Sequence, residues 1–136
     1  MKELPRAKFR EIIFLILYSQ DFEAQGPDGL LRFVSEQLKV SIRHVREAAP
    51  IVEKIQEKLG ELDGVIESAS DEYKLERIPK IEINVLRLAL YEIFHEESIP
   101  FKVSISEGIR LARKFGNQEC FRFVNALLDT IHARDC

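Results

Sequence analysis

Arg6 and Arg10 stand four residues apart, which places both on one face of a helix, while Lys8 falls about 200° round from Arg6. Cations gathered at a helix start can hold phosphate. The alternative is plain solvated charge, but the helix dipole makes a cation there unfavourable by about 0.3 to 1 kcal/mol, and that misfit favours function. A second basic group, Arg110, Arg113 and Lys114, is followed by Arg122 between Phe121 and Phe123. Exposed rings beside cations stack RNA bases, whereas Phe at helical spacing is more often core. Spacing alone predicts that at least one of Phe121 and Phe123 is core.

Other chemistry is poorly supplied. His95-Glu96-Glu97 lacks the second His, four residues from the first, that a zinc protease helix requires. His44, His95 and His132 are scattered, and Cys120 lies twelve residues before His132, about 18 Å along one helix and beyond hydrogen-bond reach. Single glycines form no phosphate loop. Cys120 and Cys136 make neither a disulfide framework nor a zinc pattern, so reduced thiols are expected, with no cofactor, no metal and no enzymatic activity.

The elements that must position these groups read as helices. Pro5 opens a first helix to about residue 24, and Ile12 to Tyr18 is apolar on every side, which predicts a central position. A strand is the alternative for this β-branched run; its unbroken length favours helix. A turn cluster at 25 to 29 precedes a short second helix. Ser41 is expected to cap a third helix, kinked or restarted at Pro50 and running to about Ile66, with Gly60 and Gly64 weakening its end. Pro79 opens the strongest helical pattern, through Phe94. Ser98-Ile99-Pro100 breaks it, Ser104 and Glu107 read as a capping box, Gly116 as a left-handed cap, and Asn117 as the cap of a last helix. The expectation is a single all-α domain over 1 to 136, with about six or seven helices.

Of 136 residues, 20 are Lys or Arg and 23 are Asp or Glu, giving a net charge of −3 that by itself argues against a polyanion partner. The distribution says more. Residues 1 to 18 carry +2 and 101 to 136 carry +2, whereas 51 to 76 hold eight acids against three bases. If the two ends meet, a basic face arises on an acidic protein. The longest apolar run falls short of the roughly 20 residues of a membrane span and lacks a signal cleavage site, so no membrane association and a cytoplasmic location are expected.

Four stretches carry a family resemblance: Leu86-Arg87-Leu88-Ala89-Leu90-Tyr91-Glu92, Ile99-Pro100-Phe101-Lys102-Val103-Ser104-Ile105-Ser106-Glu107, Leu111-Ala112-Arg113-Lys114-Phe115-Gly116, and Phe123-Val124-Asn125-Ala126-Leu127-Leu128-Asp129. In order and spacing they resemble the carboxy-terminal signature of the NusB transcription antitermination factors. Arg10-Glu11 and Leu17-Tyr18-Ser19-Gln20 resemble that family's opening helix. The resemblance is weakest from about residue 22 to 70.

It implies an all-helical fold in two packed halves, with both chain ends in one RNA-facing region. The implied activity is binding of boxA-type RNA as a heterodimer with NusE, a small-subunit ribosomal protein, within an RNA polymerase antitermination complex acting notably on ribosomal RNA operons. RNA contact is thereby implied for Arg6, Lys8, Arg10, Tyr18, Glu119, Arg122, Phe123 and Asn125, to which the second basic group adds Arg113 and Lys114, and partner contact is implied for Glu82, Arg87 and Tyr91. Asn125 could equally bond neighbouring backbone, and Arg87 and Tyr91 could brace the domain internally.

Ala7 and Phe9 thin the basic start, and Ser106 and Ala126 replace the common Asn and Gly. Two alternatives stay open: a helical protein-interaction adapter, such as a homodimer, without strong RNA binding, and a stand-alone relative of the NusB-like domain of RNA cytosine methyltransferases. In the second case the helical domain is expected to take up all 136 residues, with no room among them for a catalytic domain.

Overall fold

The computed structural model describes residues 4–21, 26–70 and 74–135. Seven α-helices and one 3-10 turn account for most of them, with no strand among the described residues, as the periodicity predicts. The chain divides into two compact helical units, Met1–Gln56 and Glu57–Cys136.

In the first unit, α1 (Arg6–Gln20) starts behind Pro5, whose ψ of 144° leads into the first turn. Residues Arg10 to Leu17 are all buried, which explains why this helix has no polar stripe in its middle. It packs against α2 (Pro27–Leu38). Pro27, expected in a turn, is instead the first helical residue of α2, where its missing N–H costs nothing. The expected extension of α1 to residue 24 falls partly outside the described residues. Lys39 ends α2 in the left-handed region (φ 54°), and the Arg43 N–H donates to Ser41 Oγ at 3.1 Å to cap α3 (Ile42–Glu57).

The third helix departs from expectation. It runs through Pro50, which lies exposed within it, and breaks eight residues later at Lys58 (φ −104°, ψ 8°). A separate helix, α4 (Leu59–Ala69), then carries Gly60 and Gly64. The apolar period continues across the break, which is why periodicity alone predicts one long helix.

The second unit is organised around α5 (Lys80–His95), which packs against α4, α6 (Phe101–Phe115) and α7 (Gln118–Asp135). Residues Ile83 to Glu92 of α5 are buried except for Arg87, which is partly exposed. Gly108 makes the α6 crossing close: a Cβ there would stand 3.3 Å from both Ala89 Cβ and Leu128 Cδ1.

Two expected caps are corrected. α6 starts at Phe101 behind Pro100 (ψ 140°), so Ser104 lies one turn inside and its hydroxyl donates to Glu92 Oε1 at 2.9 Å, while Glu107 pairs with Arg110. Gly116 is extended (φ −109°, ψ −158°) rather than left-handed. Its glycine is required by space, because a Cβ would come within 2.8 Å of Ala112 O and 2.7 Å of Cys120 Cβ. Asn117 caps α7 as expected, its Oδ1 accepting from the Cys120 N–H at 2.9 Å. Among the described residues, no helix is long and apolar enough to cross a membrane.

Candidate nucleic-acid interface

In the first unit, the basic start of α1 does not present three equivalent cations. Arg6 is exposed, Lys8 sits 3.4 Å from Glu11, and Arg10 is only 7% exposed. The four-residue spacing of Arg6 and Arg10 gives a shared face, but the helix enters the core between them. Tyr18 is partly exposed and stacks on Phe14, with centroids 5.8 Å apart and rings 13° from parallel. Stacking on a core ring fixes the tyrosine plane without a cost in side-chain entropy at binding.

In the second unit, the end of α6 and the start of α7 form a corner. Arg113 and Lys114 are both exposed in the last turn of α6, where cations favour the negative end of the dipole. The Arg113 guanidinium lies over the Phe121 ring, 4.2 Å from its centroid, and Lys114 Nζ is 5.8 Å from that of Phe115. Arg110 is committed to Glu107 at 2.9 Å. Phe121 and Phe123 are both partly exposed, so neither is core as spacing predicts; Cys120 and Val124 take the buried stripe instead. Phe121 is not among the residues that the family resemblance marks, yet it orients Arg113, and the alternation of Phe with Arg at 121 to 123 is the signal that carries it.

Beside this corner, Glu82, Glu119, Arg122 and Phe123 line a groove of about 480 Å³ together with Arg77, Ile78 and Pro79. Four residues expected at two different surfaces thus share one concavity, and Arg77 joins them from the 3-10 turn Leu75–Arg77. Burial pushes the Glu82 carboxyl above its ordinary range, and the nearby Glu119 charge pushes it further. Burial likewise raises the Cys120 thiol to about 11, with a further push from Glu82 and an opposing hydrogen bond at Asn117. A buried thiol held protonated is a weak nucleophile.

Arg87 and Tyr91 face inward in this structure. Arg87 Nε and Nη2 donate to Asp63 Oδ1 and Oδ2 at 2.8 and 2.9 Å, a two-pronged pair between α5 and α4. Tyr91 is 4% exposed and its hydroxyl donates to Glu96 Oε1 at 3.3 Å; burial, then Glu96, raises its pKa. Asn125 is partly exposed on α7. The corner therefore offers exposed cations, half-open rings and an adjoining groove, a combination suited to phosphates and unstacked bases.

Comparison with known proteins adds the family. The transcription antitermination protein NusB of Chlamydia pneumoniae is 38% identical over 130 residues, covering 96% of this chain and 81% of that one. NusB of T. maritima superposes with a TM-score of 0.78 at 28% identity, over 97% of this chain and 93% of its own. A crystal structure of the antitermination factors NusB and NusE in complex with dsRNA matches with a TM-score of 0.77 at 25% identity, over 95% of this chain and 96% of that chain. The family model for NusB matches residues 7–133, and the chain belongs to the NusB family.

Proposed function

We propose that the chain is a transcription antitermination factor that binds boxA-type RNA with NusE and modifies elongation by RNA polymerase in the cytoplasm, notably on ribosomal RNA operons. The observation that carries this reading is the α6 to α7 corner, where exposed Arg113, Lys114 and Arg122 alternate with the partly exposed rings of Phe121 and Phe123. Cations there supply salt-dependent phosphate affinity and the rings supply base stacking. Family membership supports NusE and RNA as the partners in this reading, since a similar NusB has been crystallised with NusE and dsRNA.

A second reading, a helical adapter with weak RNA affinity, is favoured by the basic start: with Arg10 buried and Lys8 beside Glu11, α1 presents Arg6 as its open cation. One titration separates the two. Labelled boxA RNA is titrated with and without NusE between about 50 and 200 mM salt. The first reading expects binding that depends strongly on NusE and weakens steeply with salt; no binding with NusE present, beside an intact NusE complex, supports the adapter and overturns it. The α1 variant for this test is Arg6→Ala with Lys8→Ala, because removing the buried Arg10 would disturb the fold as well as the surface.

A further inference from the structure

A second groove lies in the first unit, at the junction of α2 and α3. Leu31, Arg32, Ser35, Glu36, Ile42 and Arg46 enclose about 320 Å³. The junction is tied twice: the Ser35 hydroxyl donates to the Val40 carbonyl at 2.6 Å, and the Val40 N–H donates to the Ser35 carbonyl at 3.1 Å. With Lys39 turning the chain in the left-handed region, these bonds fix the turn by which the chain leaves α2 and enters α3. Arg32 of α2 and Arg46 of α3 both line this one concavity.

Charge marks this place too. From Gly29 to Arg46, four cations (Arg32, Lys39, Arg43 and Arg46) accompany a single acid, Glu36, a bias that averaging over a longer segment conceals. Arg43 is 3.7 Å from Glu47, and His44 Nδ1 is 3.6 Å from the same carboxylate. Arg32 and Arg46 are exposed, and among the described residues neither has an ion-pair partner.

We propose that this groove is a second RNA contact, in which Arg32 and Arg46 hold a phosphodiester of the RNA backbone; the inference rests on the RNA-binding reading above. Two arginines contributed by α2 and α3 suit an anion with several acceptor oxygens, each able to take paired N–H donors. Such a contact positions the strand and reads no bases, so it acts on any single-stranded RNA. Glu36, on α2 like Arg32, opposes the phosphate. That gives the proposal a gain-of-binding arm: neutralising Glu36 tightens RNA, which a purely structural role for the arginines does not predict.

The test uses the full chain with NusE and two probes, a short boxA RNA and a longer single-stranded RNA without boxA. In Arg32→Ala/Arg46→Ala, affinity for the longer RNA falls roughly 3- to 10-fold and the salt slope falls by about 0.7 for each phosphate no longer neutralised. Glu36→Gln binds that RNA more tightly, and Arg32→Lys/Arg46→Lys keeps the salt slope. Thermal unfolding shows that the exposed substitutions leave the fold intact. Unchanged affinity and slope for the longer RNA in Arg32→Ala/Arg46→Ala overturn the proposal, whatever boxA shows. A wild-type complex that ignores boxA, yet loses affinity for the longer RNA in that variant, removes the antitermination reading and keeps the groove. A variant that loses only binding to an acidic peptide makes the groove a protein-docking site, and the RNA assignment falls.

Discussion

The Ser104 hydroxyl donates to Glu92 Oε1 at 2.9 Å where both residues are buried, joining α6 to α5. Deleting the hydroxyl removes a charge-assisted bond from a carboxylate that water cannot readily reach. Ser104→Ala is therefore expected to lower the unfolding free energy by about 1 to 3 kcal/mol in a urea titration. Glu92→Gln in the Ser104→Ala background should cost less than in the wild type, because the bond is already gone. Additive losses would show that the two groups do not act as a pair.

At Gly116 the constraint is spatial. An added Cβ would stand 2.5 Å from Cys120 Sγ as well as close to backbone, so Gly116→Ala forces the end of α6 away from the start of α7. Overpacking of this kind costs about 1 to 3 kcal/mol. Gly64 is the opposite case: it lies inside α4, exposed, with nothing within 4 Å of where a methyl group would stand. Gly64→Ala should stabilise by about 0.4 to 1 kcal/mol. Equal effects of the two substitutions in chemical unfolding would contradict the difference in their surroundings.

These local contacts mark where sequence reading succeeds and stops. Pro79 and the period of α5 are local signals, as are the Ser41 and Asn117 caps, and each holds in the structure. Ser104 and Glu107 carry the letters of a capping box, but Pro100 starts the helix a turn earlier and Glu92, distant in sequence, claims the hydroxyl. At the candidate interface, the cations are legible by type. What spacing does not show is which side of a helix turns inward: Arg10 is buried, Phe121 and Phe123 are not, and Arg87 reaches back to Asp63.

The Arg87 to Asp63 pair separates bracing from recognition. Both side chains are less than a fifth exposed and the contact is two-pronged, so its loss is a loss of fold stability. Arg87→Ala is expected to cost about 1.5 to 3 kcal/mol, in the range of hydrogen bonds to charged groups. Asp63→Asn should cost part of this, and the double variant less than the sum of the singles. NusE affinity measured on the folded fraction then reports any partner role by itself: a drop in Arg87→Ala without a matching drop in Asp63→Asn assigns the arginine to the partner surface, and parallel behaviour assigns it to the brace.

Glu82 should make stability depend on pH in an uncommon direction. Its folded carboxyl titrates above the ordinary value of 4.5 because burial disfavours the anion and Glu119 repels it. A carboxyl with a raised folded pKa binds its proton more readily in the native state than when unfolded. Its stabilising effect is complete below the unfolded value and is lost as pH rises through the folded one. At neutral pH the anion is thus a liability. Glu82→Gln should raise the melting temperature near neutral pH, and its advantage should shrink as pH falls toward and below 4.5, where the wild-type carboxyl is itself neutral. Glu119→Gln should give a smaller gain in the same direction by removing the repelling charge. A Glu82→Gln advantage that is equal at both ends of the titration would trace to packing rather than ionisation and would remove the electrostatic account of this carboxyl.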